Sequence, residues 1–271
     1  MKNLQWGVGR GATDAGPRPR NEDSYCASGP VFIVADGMGG HAAGAAASAA
    51  VIEAFLPLVG APVISPDEVA AAVEQAQVDV MAVSAQVGSH SGSTLTGVIT
   101  VEHNGEPWWM VINVGDSRVY RVTEAFIQQV TVDHSYVQDL LDAGDITAVE
   151  ALTHPERNVV TRAIGDGILG FDAWLMPAIP GEWLVVCSDG LTRAVTDSRI
   201  AEVVRLSGAD VAERLVDAAL AGKTSDNVTA VVVQAVGVRT GAGAESTPWR
   251  LWTEDPAEDD TTQTTRVRVW A

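Results

Sequence analysis

Residues 31–41 read Val-Phe-Ile-Val-Ala-Asp-Gly-Met-Gly-Gly-His, an apolar, largely β-branched run that stops on Asp36 and a glycine-rich turn. A short run of this kind, bounded by turn residues, has the signature of a β-strand. Four more stretches repeat it at residues 95–101, 108–114, 183–187 and 228–235, bounded by Gly, Asp or Asn. Alanine-rich segments with helical spacing lie between them at residues 42–56, 66–86, 197–206 and 209–221, with Ser65 and Asp197 placed as N-caps. Val119-Tyr-Arg-Val122 follows the 108–114 run after a Gly-Asp-Ser-Arg turn, which predicts antiparallel pairing of these neighbours rather than a parallel crossover. The class is mixed α and β, without a repeat of solenoid period.

Composition sets the outer limits. With 271 residues, 46% of them apolar, the chain can bury one large core. A net charge of −18 argues against nucleic acid as the main partner, because phosphate backbones are bound by clustered Lys and Arg. Two cysteines, Cys26 and Cys187, together with no charged-then-apolar leader and no run long enough to span a bilayer, predict a reduced, cytoplasmic protein. From about Thr240 the composition shifts to Gly, Thr, Pro and acid with no sustained period, which reads as a tail.

The chemistry is carried by position. Asp36, Asp116 and Asp189 each close an apolar run, and Gly37 and Gly190 follow two of them, so the backbone can approach a ligand closely. Asp226 stands just before the 228–235 run, and Glu22-Asp23 precede the first strong strand. Carboxylates converging from several elements repel one another unless cations neutralise them, and all-oxygen ligands select hard ions such as magnesium or manganese. A single Asp before Gly is ordinarily a turn residue; four at strand ends shift that balance. The Gly-Met-Gly-Gly segment lacks the Lys and spacing of a P-loop. His41, His134 and His154 read more readily as capping or packing residues than as acids or ligands, Cys187 as a small buried apolar residue, and Trp108-Trp109 as core and sheet surface.

Eight segments, in order, resemble the PPM family, the type 2C metal-dependent protein phosphatases, in its bacterial form. They are Arg18-Pro-Arg-Asn-Glu-Asp-Ser24, Asp36-Gly-Met-Gly-Gly-His41, Gly92-Ser-Thr-Leu-Thr96, Asn113-Val-Gly-Asp-Ser-Arg118, Asp133-His134, His154-Pro-Glu-Arg-Asn158 with Thr161-Arg-Ala-Ile-Gly165, Ser188-Asp-Gly-Leu191 and Asp226-Asn-Val-Thr229. The resemblance implies an α+β fold: a four-layer αββα sandwich of two antiparallel β-sheets flanked by helices, with a metal cluster in a cleft at one edge. It implies a catalytic domain over residues 1–238, a flap at about 131–165, and an acidic, Thr-rich flexible tail over 239–271. By the same resemblance Asp36 bridges two manganese or magnesium ions, the Gly37 carbonyl binds one, and Asp189 and Asp226 bind the other. Glu22 and Asp23 then act through metal-bound waters, Asp116 with Asp189 holds a third, looser ion, and Arg18 grips the substrate phosphate with its forked donors.

The implied reaction is direct attack on phosphoserine or phosphothreonine by a water held between two cations, without a phosphoenzyme intermediate. One departure stands out: where many eukaryotic relatives carry a histidine proposed to protonate the leaving group, this chain has Met38, and the general acid is left unassigned. The expected partners are phosphorylated proteins, a bacterial serine/threonine kinase and its substrates, met by a monomer. Two rivals stand beside this, a pseudophosphatase serving as a binding module and an enzyme acting on a small phosphate ester. In the tail, Thr261, Thr262, Thr264 and Thr265 beside acids resemble kinase sites, and once phosphorylated would suit a phosphothreonine-binding adaptor.

Overall fold

A computed structural model describes residues 7–39, 42–88, 90–103, 106–168, 170–236 and 250–251. Strands β1 (Gly7–Asp14), β2 (Asp23–Ser28) and β3 (Val31–Met38) lead into helices α1 (Ala42–Phe55) and α2 (Pro66–Val87). Then come β4 (Gly92–Ser93), β5 (Leu95–His103), β6 (Glu106–Val114), β7 (Arg118–Val122) and β8 (Ile127–Gln129). Helices α3 (Tyr136–Ala143) and α4 (Ala148–Ala151) precede β9 (Asp172–Pro177), β10 (Trp183–Cys187) and a single helical turn, α5 (Asp189–Thr192). Helices α6 (Asp197–Leu206) and α7 (Val211–Ala221), then β11 (Val228–Ala235) and β12 (Arg250–Leu251), complete the order.

The strands form two sheets, one ordered β1-β11-β10-β7-β8 and the other β12-β9-β6-β5-β3-β2 with β4 beside β3, and all pairs are antiparallel. Side chains alternate across a strand, and on β3 both faces are buried. Phe32 and Val34 pack between the sheets with Val111, Val186 and Val231, while Val31, Ile33 and Ala35 meet Val51 and Phe55 of α1 and Val73 and Val80 of α2. On β10 and β11, Val186 and Val231 face the same inter-sheet core, whereas Val185, Cys187 and Val232 pack against Ile200, Val204 and Leu215 of α6 and α7. The layers therefore run helix, sheet, sheet, helix, as the resemblance implied, and burial on both faces explains why these runs are apolar without alternation.

Local chemistry sets the ends of α2. The Ser65 hydroxyl accepts from the Glu68 N–H, the Glu68 carboxylate accepts from the Ser65 N–H, Pro66 opens the helix and Gly88 closes it in the left-handed conformation. The N-cap of α6 is Thr196, and Asp197 is its first-turn acid rather than its cap.

The expected antiparallel pair between residues 108–114 and 119–122 is not formed. Strand β6 belongs to one sheet and β7 to the other, and Gly115, at φ +108, carries the chain across, so that Asp116 sits at the crossover instead of in a hairpin turn. Strand β1 was hidden in the sequence because its glycines read as turn residues. A Cβ at Gly7, Gly9 or Gly11 would lie within 2.7 Å of the Trp109, Phe32 or Tyr25 ring, so the glycines make room for aromatics from the facing sheet. Most of the expected tail, with Thr261, Thr262, Thr264 and Thr265, lies outside the described residues; Arg250–Leu251 pair with β9 at the edge of the second sheet.

Candidate active site

The ends of β3, β6 and β10 and the turn before β11 meet at a cleft of about 580 Å³ lined by Arg18, Glu22, Asp36, Gly37, Asp116, Asp189, Arg193 and Asp226. Asp36 is carried by β3 and held on both sides: its N–H donates to the Thr94 hydroxyl, and its carbonyl accepts from the Thr94 N–H at 2.9 Å. Thr94 is itself hydrogen-bonded to Ser117, next to Asp116, so the floor of the cleft is continuous across both sheets.

Two residues tie the acidic loops to the sheets. Asp23 pairs opposite Asp36 in the β2–β3 ladder, and its Oδ2 accepts from the Ser188 and Thr229 hydroxyls at 2.8 and 2.7 Å. It thereby joins the second sheet to the ends of β10 and β11 in the first, and it does not line the cleft itself. Asn227 accepts from the Glu22 N–H and donates to the Ala15 and Arg20 carbonyls, fixing the loop that carries Arg18 and Glu22. At the rim, Arg18 Nη2 donates to Asp226 Oδ2 at 2.8 Å and its Nε to the Ser225 carbonyl.

Concentrating acids here is costly. Burial, then Asp116, pushes the Asp189 carboxyl up to about 7, with Arg193 pulling the other way. Burial pushes Asp23 up to about 6 against the hydrogen bonds from Thr229 and Ser188. Asp36 is raised well above the usual range by burial and then by Asp23, Asp189, Asp116 and Asp226. Hard oxygen donors under mutual repulsion suit divalent cations, and two buried carboxylate oxygens, Asp23 Oδ1 and Asp189 Oδ1, have no hydrogen-bond partner. The donor set therefore fits such ions. Among the described residues no three acids already converge on one point as a finished ion site, because Asp226 and Asp189 are turned toward Arg18 and Arg193.

These raised values set a pH response. Each of the three acids favours its neutral form in the fold, so ionising it costs stability above its folded pKa, and the cost is relieved as pH falls through about 7 and 6 toward the unfolded value near 4. Metal-free protein should melt at a higher temperature at pH 5.5 than at pH 8, and manganese should shrink the difference. A thermal melt that does not move over this range would contradict the electrostatics described.

The structure brings Asp36, Gly37, Asp116, Asp189, Asp226, Glu22 and Arg18 to one cleft, with Asp23 immediately behind it. His134 braces the back of Asp116: its Nδ1 accepts from the Gly115 N–H at 3.1 Å, and its Nε2 lies 3.3 Å from Asp172. His154 accepts from the Glu156 N–H and packs near Tyr136, while His41 lies outside the described residues. Cys187 is buried, and burial lifts its thiol to about 12, so it is not a nucleophile. In the expected flap, Ser135 bridges Val160 and Ser93 bridges Ile164, which holds Asn158 and Val160 at the cleft wall. Sequence reasoning missed Arg193 and Asn227; the Asp189/Arg193 spacing of four residues was the available signal for the first.

A four-layer sandwich with aspartates from both sheets gathered at its edge is the architecture of a PPM phosphatase. The chain is 30% identical over 242 residues to protein phosphatase PhpP of Streptococcus pneumoniae serotype 2 (strain D39 / NCTC 7466), covering 82% of this chain and 94% of that protein. It is 34% identical over 229 residues to serine/threonine protein phosphatase PstP of Mycobacterium tuberculosis (strain ATCC 25618 / H37Rv), covering 81% of this chain and 43% of that protein. The chain thus spans less than half the length of the mycobacterial relatives it matches. The crystal structure of the PstP catalytic domain in complex with two manganese ions superposes with a TM-score of 0.77 at 33% identity, covering 85% of this chain and 99% of that one. No protein-family model matches the chain. The chain belongs to the PPM family of bacterial serine/threonine protein phosphatases.

Proposed function

We propose that this protein hydrolyses phosphoserine and phosphothreonine in proteins, using divalent cations held by Asp36, the Gly37 carbonyl, Asp189 and Asp226, with Glu22 and Asp23 acting through water. The observation that supports this most is the gathering of Asp36, Asp116, Asp189 and Asp226 at one cleft with an arginine at its rim. When bound, two such ions lower the pKa of a water toward neutrality and offset the phosphate charge. The chain's own residues do the rest. Asp36 is fixed by Thr94, Asp23 locks the two sheets, Asn227 orients the Glu22 loop, and Arg18 presents forked donors to phosphate oxygens. Met38 lines the cleft and has no proton to give the leaving alkoxide, so the acid is a different group.

Substrate class is tested by phosphate release from phosphothreonine, phosphoserine and phosphotyrosine peptides beside p-nitrophenyl phosphate. Preference for the first two is expected; hydrolysis of the small ester alone would overturn the reading. Arg18→Lys should raise KM at least as much as it lowers kcat, since a point charge replaces a fork, with manganese affinity little changed. Equal phosphate inhibition and equal KM in parent and variant would remove Arg18 from substrate binding.

The wider reading is of a monomeric cytoplasmic catalytic unit over residues 1–238 that opposes a serine/threonine kinase, with a flap at 131–165 beside the cleft. No helix among the described residues is long and apolar enough to cross a membrane. Manganese or magnesium would serve as the tight ions, and a third, weaker one would call on Asp116 and Asp189. Phosphate on Thr261, Thr262, Thr264 or Thr265 would recruit an adaptor with an Arg-lined pocket. Mass spectrometry after incubation with a cognate kinase should find it, and unmodified threonines would end that part of the proposal.

A further inference from the structure

Arg193 lies four residues after Asp189, one helical turn on, so its side chain returns over that carboxylate. Its Nη2 pairs with Asp189 Oδ2 and also lies 3.5 Å from Asp116 Oδ2. The two acids reach this point from different elements, Asp116 from the crossover between the sheets and Asp189 from the end of β10. One guanidinium nitrogen thus stands between the oxygens that a third divalent ion would share. Asp189 engages Arg193 through Oδ2, while its Oδ1 is buried and without a hydrogen-bond partner. The arginine side chain is 31% exposed and lines the cleft, so it has space to swing away.

We propose that Arg193 is a tethered cation occupying the Asp116–Asp189 position, so that a third divalent ion binds there only by displacing it. This rests on the two-ion reading above. A guanidinium offsets one of the two carboxylate charges where a divalent ion would offset both, and it offers no open coordination position, so it cannot hold a water for chemistry. Arg193 is therefore a positioning residue. It keeps the acid pair partly compensated while two ions work, and it makes occupancy of the third position a competition set by manganese concentration. A charge-assisted pair to two acids must be broken for the ion to enter, so removing the arginine should tighten the third site at least about tenfold.

Calorimetric manganese titrations of the full chain, its Arg193→Gln variant and its Arg193→Lys variant test this, together with thermal melts with and without manganese. The expected result is two tight ions of unchanged affinity in all three proteins, a third ion bound at least about tenfold tighter by Arg193→Gln than by the parent, and Arg193→Lys in between. Arg193→Gln should also melt lower without metal and gain more from manganese, because Asp116 and Asp189 then lack their cation. Two tight ions in each protein with the third site unchanged or undetected would overturn the Arg193 proposal and leave the two-ion reading standing. Loss of a tight site in Arg193→Gln would overturn it too, by making the arginine a support for those ions. No manganese binding by the parent would overturn both.

Discussion

Asp36→Asn is expected to lower turnover on a phosphothreonine peptide at least about a hundredfold, because losing a direct ligand should cost at least as much as losing a residue that merely orients one. Burial, and then the charges of Asp23, Asp189, Asp116 and Asp226, raise its carboxyl well above the ordinary range. Replacing it by the near-isosteric amide removes charge without altering the Thr94 hydrogen bonds, which belong to the backbone. The fold should persist, and the metal-free variant should melt at or above the parent's temperature because one buried charge is gone. Asp189→Asn should show the same drop in turnover. Near-parental turnover in either variant, with metal content unchanged, would remove that residue from the site.

Gly190→Ala is expected to have the largest effect on stability. A Cβ at Gly190 would lie 1.8 Å from the Asn227 carbonyl oxygen, a backbone atom that cannot swing aside as a long side chain can. Asn227 in turn holds the loop bearing Glu22 and Arg18, so relieving the clash displaces two walls of the cleft together. Overpacking of this kind costs about 3 kcal/mol or more when backbone must move. Denaturant unfolding should register the loss, with turnover falling further than stability alone explains. A variant as stable and as active as the parent would show that the helical turn after β10 tolerates what its geometry forbids.

The sequence made some of this legible for definite physical reasons. A strand buried on both faces must be apolar throughout, so β3, β10 and β11 stood out, and the acids that end or precede them were visible as interruptions. Strand β1 was not legible because its alternate glycines answer to aromatic rings on another sheet, which no local pattern records. The β6–β7 junction read as a hairpin because Gly-Asp-Ser-Arg is good turn chemistry, while the choice between turning back and crossing over depends on the facing sheet. The places of Asp36, Asp116 and Asp189 at the ends of apolar runs flagged them, and the resemblance to the PPM family joined Asp36, Asp189 and Asp226 in one ligand set. Asp23 is expected from the resemblance to act through metal-bound water, but its hydroxyl partners Ser188 and Thr229 are more than 160 residues away, so its inter-sheet role could not be seen locally. Arg193 was overlooked because one arginine after Ser-Asp-Gly-Leu-Thr looks like a helix surface charge until Asp116 is brought beside it.

On the proposed reading this acidic cleft hydrolyses phosphoprotein esters only with divalent ions in place. The measurement that bears on it most directly is phosphate release from a phosphothreonine peptide by chelator-dialysed protein as manganese is added back, with Asp36→Asn run in parallel. The parent should be inactive after dialysis and recover saturably with manganese, while the variant stays at least about a hundredfold lower across the titration. Undiminished hydrolysis by metal-depleted parent protein, or a manganese response equal in parent and variant, would contradict the account.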